Sequence, residues 1–390
     1  MRISDSEFNR LQVLKTIRRA EPVARTDIVK LTGLAGGTIS QLTADFIRRG
    51  IVLEEKSSTN TFGRPRMELR INADAGHVLS VVPFGDRRVS IEIVDLKGDA
   101  IFACESAMER VNTLEEWARH LATLIDEAIT GSPVSKRQIQ RIGVVIHGVV
   151  DNVRGVVHLL AIFPDRDVPV AAIMAKQLQI PVAIDSGANV IARAEHWFGE
   201  ENQLDNFTVI IVDLGLNCAH YVDGLLWRGA HGINPEFGHT KVVVGEGRRC
   251  YCGGTGCLVS YAGIFGIVSR MCELRGTKVP VHHKMIAAFR RFAAQARDGD
   301  EQVREVFRTA GQMLGAATAN LINERDPGRI LVATFEPELI PMISDAFGSS
   351  LKANTLHALS GLTDVRCKQI DVEHYRKGSA ALALEHIYRG

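Results

Sequence analysis

Residues 235–261 read PEFGHTKVVVGEGRRCYCGGTGCLVSY, with His239, Cys250, Cys252 and Cys257 spaced H-x10-C-x-C-x4-C. Three thiolates and one imidazole complete a tetrahedral ligand set for a structural Zn²⁺. The glycines between them let a short loop wrap an ion. Arg248 and Arg249 favour the thiolate form of the neighbouring sulfurs. The alternative is a set of unrelated buried thiols, or a disulfide. Seven cysteines in 390 residues are too sparse for a disulfide scaffold, and three of them fall within eight positions.

Glu236 stands three residues before the histidine, giving E-F-G-H. E-x-G-H followed by C-x-C-G-x-x-G-C resembles the signature of the ROK family (repressors, open reading frames, kinases). Glu236, Gly238, His239, Cys250, Cys252, Gly253, Gly256 and Cys257 all fall in place. The resemblance implies that Glu236 and His239 bind hydroxyls of a sugar or sugar derivative. One ring nitrogen of His239 would face the sugar and the other the zinc, which fixes its tautomer. For Glu236 the competing role is support of the zinc ligands.

The chain is long enough for two or three domains, and 46% hydrophobic with 23% charged residues describes an ordinary globular protein. No apolar run approaches the ~20 residues that span a bilayer, so no membrane partner is expected. MRISDSEFNRLQVL has no signal-peptide core, so a reducing, cytoplasmic setting is expected. The net charge of +1 is uneven: residues 1–72 hold thirteen Lys/Arg against eight Asp/Glu. A basic head on a mildly acidic body suits a head that meets nucleic acid.

In that head, Phe8, Leu11, Leu14 and Ile17 recur at helical spacing. A second helix carries Ile28, Val29 and Leu31, with Thr26 as its expected cap and Gly33 closing it. A third follows, with Ile39, Leu42 and Phe46 on one face and Thr38, Gln41, Ala44 and Arg48 on the other. Two helices around a glycine turn are a helix-turn-helix pattern. Gly37, Thr38 and Gln41 are the residues expected at base edges in the major groove. Strands over residues 51–55 and 67–71 would flank a wing in which Gly63-Arg64-Pro65 offers Arg64 to a minor groove. The resemblance supports this winged head. Asp45 on the third helix argues against it, since a carboxylate repels phosphate.

The body reads as three strands followed by alternating helix and strand, twice over. This is the duplicated, two-lobed layout of actin-like sugar kinases, with a ligand cleft. The expected domains are a winged helix-turn-helix at 1–75 and an actin-like body at 76–390. Within the body, the first lobe spans about 76–190 plus the C-terminal helix and the second about 191–375.

The resemblance also marks what a ROK kinase needs. Its first phosphate loop, D-x-G-G-T, is here Pro83-Phe84-Gly85-Asp86-Arg87, which lacks the carboxylate and adds a charge that repels phosphate. The second loop reads Asp213-Leu214-Gly215-Leu216-Asn217-Cys218-Ala219 with one glycine left, and the glycine pair at the adenosine site is Ala333-Thr334. The catalytic aspartate of E-N-D-A-N falls on Gly187, which cannot take a proton. Asp185 or Asp213 would have to substitute for it. Val259, Ser186 and His147 replace further polar or turn residues of the sugar pocket.

The implied function is a transcriptional regulator, most simply a repressor of carbohydrate-related genes. A homodimer or homotetramer would bind a palindromic operator, and a sugar-like effector would shift the DNA-competent population. Two alternatives stay open: an active ROK sugar kinase that also binds DNA, and an interaction module that does not bind DNA.

Overall fold

The computed structural model describes residues 4–57, 66–84 and 87–389. Gly63, Arg64 and Pro65 of the expected wing, and Gly85 and Asp86 of the first phosphate loop, lie outside the described residues.

The chain begins with α1 (Asp5–Ala20), α2 (Arg25–Thr32) and α3 (Gly36–Arg48), followed by β1 (Val52–Lys56) and β2 (Met67–Ile71). Ser4 and Glu7 close a capping box on α1. The expected cap on α2 is corrected: the helix starts at Arg25 with Ala24 as N-cap and no side-chain cap bond. Thr26 therefore lies inside the first turn. Gly33 ends α2 in the left-handed region at φ 71°, as a helix stop requires. β1 and β2 pair antiparallel, with Val52 opposite Ile71 and Lys56 opposite Met67.

The body follows with β3 (His77–Phe84), β4 (Arg88–Asp95), β5 (Ala100–Ala107), α4 (Leu114–Thr130), β6 (Ile139–Ile146), a short hairpin of β7 (Val149–Asp151) and β8 (Val156–Leu159), α5 (Val170–Leu178), β9 (Val182–Ser186) and α6 (Gly187–Phe198). A second series has β10 (Phe207–Val212), β11 (Leu216–Val222), β12 (Leu225–Leu226), α7 (Val259–Ala262), α8 (Ile264–Leu274), α9 (Met285–Arg297), α10 (Glu301–Arg325), β13 (Arg329–Thr334), α11 (Leu339–Asn354) and β14 (Asp364–Gln369). The chain ends in α12 (Val372–Arg389). Two five-stranded sheets repeat one plan. Their orders are β5-β4-β3-β6-β9 and β12-β11-β10-β13-β14. In each, the three strands of the hairpins are antiparallel and the last two run parallel to the first. Among the described residues no helix is long and apolar enough to cross a membrane.

The chain forms two compact units. The first comprises residues 1–199, 230–233 and 374–390, and the second residues 200–229 and 234–373. The break expected near residue 190 therefore falls at Gly199. The reason is α6: its Arg193 bonds Asp185 and Glu385, and its Trp197 indole donates to Glu385, so the helix stays with the first unit.

The head belongs to that same unit. Leu14, Ile17, Ile39 and Phe46 share one apolar cluster with Val94, Trp197, Leu384 and Tyr388. Lys15 Nζ lies 3.0 Å from His196 Nδ1, and the Arg18 guanidinium stands 4.6 Å over the Phe198 ring. Glu21 pairs with Lys97 at 2.8 Å. The final helix is thus core packing and also a neighbour of the head. Its GSAALAL run has a steric cause: a Cβ on Gly378 would fall 1.9 Å from the Val190 carbonyl oxygen. Ser379 stitches α12 to the sheet by donating to the Gly143 carbonyl at 2.8 Å.

Candidate metal centre and effector residues

In the second unit, the ligand atoms of His239, Cys250, Cys252 and Cys257 all lie within 4.8 Å of one another. Cys252 Sγ and Cys257 Sγ are 3.8 Å apart, and Cys250 Sγ is 3.6 Å from His239 Nδ1. Bonds of ~2.3 Å to sulfur and ~2.0 Å to nitrogen in a tetrahedron require edges of about 3.8 Å and about 3.5 Å. The four residues fit a zinc ion and do not form a disulfide. Gly256 makes the loop possible: its φ is +72°, and a Cβ there would sit 1.9 Å from the Val243 carbonyl oxygen. Burial pushes the Cys250 thiol up to about 11. Lys241, which the sequence reading passed over, brings its Nζ to 3.0 Å from Cys257 Sγ.

Glu236 and His239 meet across a 3₁₀ turn, with the His239 N–H donating to the Glu236 carbonyl at 2.8 Å. Residues three apart in such a turn stand one above the other. With Nδ1 toward the sulfurs, Nε2 of His239 is left for another partner. Burial raises the Glu236 carboxyl to about 7. Tyr251, also unflagged by sequence, packs edge-on against His239 with ring centroids 5.3 Å apart. Val259 is fully buried in the apolar core of this unit.

In the first unit, three positions singled out by sequence converge. His147 Nε2 donates to the Pro83 carbonyl at 3.2 Å. A Cβ on Gly187 would meet Tyr375 Oη at 3.1 Å and His147 Nδ1 at 3.3 Å. His147 and Tyr375 themselves pack edge-on, centroids 5.2 Å apart. An imidazole and a phenol therefore crowd the position of the expected base. Asp185 cannot replace it, since its two oxygens accept from Asn152, Ser186 N–H, Asn189 and Arg193 at 2.7–2.9 Å. Ser186 caps α6.

In the second unit, burial pushes the Asp213 carboxyl up to about 6; the Leu214 N–H opposes this and the Glu336 charge adds to it. Ala333 and Thr334 are fully buried in β13, and the Thr334 hydroxyl accepts from the Glu336 N–H at 3.1 Å.

In the head, Gly37 and Gln41 are exposed and Thr38 is half-buried at the start of α3. No side chain caps that helix, and a Cβ on Gly36 or Gly37 would meet nothing within 4 Å. Its first N–H groups are therefore open to an anion. Asp45 is neutralised: it accepts from Arg10 at 2.8 Å and also pairs with Arg48 and Arg49. The hydrogen bond from Arg10, with Arg48 and Arg49 close by, holds its carboxyl below the ordinary range.

Residues 82–381 match the family model described as the ROK family, so the match begins after the head. A xylose repressor from Caldicellulosiruptor bescii is 29% identical over 343 residues, covering 85% of each chain. The crystal structure of a ROK family transcriptional regulator, a homolog of the E. coli MLC protein, matches with a TM-score of 0.79 at 22% identity. It covers 98% of this chain and 97% of its own. A ROK hexokinase from Thermus thermophilus matches with a TM-score of 0.66 at 21% identity, covering 80% of this chain and all of its own. These likenesses give the fold, the actin-like fold of sugar kinases built on mixed sheets.

Proposed function

Because the chain belongs to the ROK family, we propose that it is a DNA-binding transcriptional repressor of carbohydrate-related genes. The head is read as a winged helix-turn-helix, the cysteine loop as a zinc knuckle, and the protein as a cytoplasmic homodimer or homotetramer on a palindromic operator. The observation that carries this is α3. Gly37, Thr38 and Gln41 lie at its uncapped start, and the one carboxylate on the helix is matched by three arginines. The relative named a xylose repressor supports the same reading. Glu236 and His239 are the contacts for a sugar or sugar derivative, and zinc would hold the His239 ring in place when bound.

The chain is read as having no kinase activity. Support comes from the crowding at Gly187, the saturation of Asp185, and the loss of glycine and carboxylate from the phosphate loops. Asp213, with its raised affinity for a proton, is the one carboxylate left to a kinase reading.

The test is a gel shift with DNA from upstream of the chain's own operon, with and without candidate sugars. Binding should be lost in Gln41→Ala and Arg64→Ala and altered by one sugar. A protein that ignores this DNA, or that turns over ATP with a hexose at enzymatic speed, overturns the reading.

A further inference from the structure

Beside the cysteine loop, on the second unit, lies a cavity of about 310 Å³ lined by Arg248, Arg249, Ser260, Ser269, Arg270 and Glu273, with the first turn of α8. It shares no lining residue with Glu236 or His239. Three guanidinium groups face a single carboxylate, so the lining carries a net charge of +2. Glu273 is committed to Arg270 at 2.7 Å. Among the described residues Arg249 makes no ion pair.

Two of the three cationic groups, Arg248 and Arg270, are held in place before any ligand arrives. The Arg248 guanidinium stacks 4.5 Å over the Tyr261 ring, and the Tyr261 hydroxyl accepts from the Arg248 N–H at 2.9 Å. Arg270 and Ser269 project from α8, whose opposite face buries Ile267, Val268 and Met271 in the core. The Ser269 hydroxyl is buried without a hydrogen-bond partner among the described residues. Such a group carries a desolvation cost that a ligand acceptor would relieve. The start of α8 adds nothing to this, since its Ile264 and Phe265 N–H groups donate to the Asp213 and Leu214 carbonyls at 2.9 and 3.4 Å.

Guanidinium forks and a buried hydroxyl converging on a small concavity are the donors that recognise a phosphoryl dianion. We propose that this cavity binds a phosphoryl group, as a phosphate monoester or as free phosphate, separately from the contacts at Glu236 and His239. A regulator with such a site would sense a phosphorylated metabolite or phosphate status in addition to any neutral sugar.

The test is calorimetric titration of the zinc-loaded, full-length protein at constant ionic strength. Inorganic phosphate, glucose 6-phosphate and glucose are compared on the wild type, Arg270→Gln and Ser269→Ala. Among the described residues Arg270 pairs only with Glu273, in an exposed pair, so its loss should leave zinc content and melting temperature unchanged. Phosphate and the ester should bind, and Arg270→Gln should weaken both by about tenfold or more, with Ser269→Ala weakening them less. Equal binding of the two names free phosphate as the ligand, and tighter binding of the ester names a phosphorylated metabolite. The proposal is overturned if neither binds at about 10 mM. It is also overturned if Arg270→Gln titrates like the wild type, or if glucose binds as tightly as its phosphate. None of these outcomes depends on whether the head binds DNA.

Discussion

Arg193 Nη1 donates to Asp185 Oδ2 at 2.7 Å, and neither side chain has measurable solvent exposure. The same guanidinium reaches Glu385 on α12 through Nε at 3.1 Å. One cation thus ties the end of β9 to the final helix. Glu385 also accepts from the Trp197 indole at 3.1 Å and from Arg389 at 3.3 Å. Lys15 of the head lies near enough to act on its charge.

Removing Arg193 would take the buried Asp185 carboxylate's ion-pair partner and leave Glu385 to Arg389 and Lys15. Arg193→Met should cost about 3–5 kcal/mol in urea unfolding, far more than loss of an exposed pair. Asp185→Asn in the same background should recover part of that loss. Additive effects of the two changes would show that the residues are not coupled.

Acid should act through Glu385. Burial opposes its charge, but Arg193, Arg389 and Lys15 outweigh burial and hold the carboxyl well below its usual 4.5. A folded value below the unfolded one gives stability that is complete above the unfolded value and lost as pH falls through and below it. Urea midpoints between about pH 6 and about pH 3 should therefore decline less steeply in Glu385→Gln than in the wild type. Parallel acid limbs would contradict this.

Metal removal should unfold part of the second unit. A strong chelator, or Cys257→Ser, should lower stability by at least about 3 kcal/mol, and elemental analysis should then find none of the one zinc per chain expected in the wild type. Cys104→Ser, on β5 of the first unit and no part of the cluster, should keep the metal.

On DNA, Gln41→Ala should reduce specific affinity by about tenfold or more while leaving the salt slope unchanged, as befits a base contact. Asp45→Asn should act in the opposite way. It releases Arg10, Arg48 and Arg49 from their carboxylate, so non-specific binding should tighten and its salt dependence steepen.

Gly187→Asp should not restore phosphoryl transfer. The new side chain would press on Tyr375 and His147, with an overpacking cost of about 1–3 kcal/mol. ATP turnover above background in this variant, with any hexose, would show that the phosphate loops still function.

Sequence by itself determined the features whose logic is local. The cysteine and histidine spacing named four candidate ligands, whose ligand atoms the fold gathers within 4.8 Å of one another. Helical periodicity placed α1 to α3 to within a few residues, and the twice-repeated order of three strands then alternating helix and strand matches the two five-stranded sheets, because amphipathic period and turn residues act over one or two turns of chain. Helices α7, α8 and α9 were not anticipated. Only tertiary structure decided the rest. Pro83, His147, Gly187 and Tyr375 lie in four separate segments, and nothing in their spacing says that they pack together. Nor does spacing show that Arg193 will find Glu385 192 positions away, or that three arginines will cancel Asp45. Buried charge and close packing are settled by which distant groups remain to pair once water is excluded.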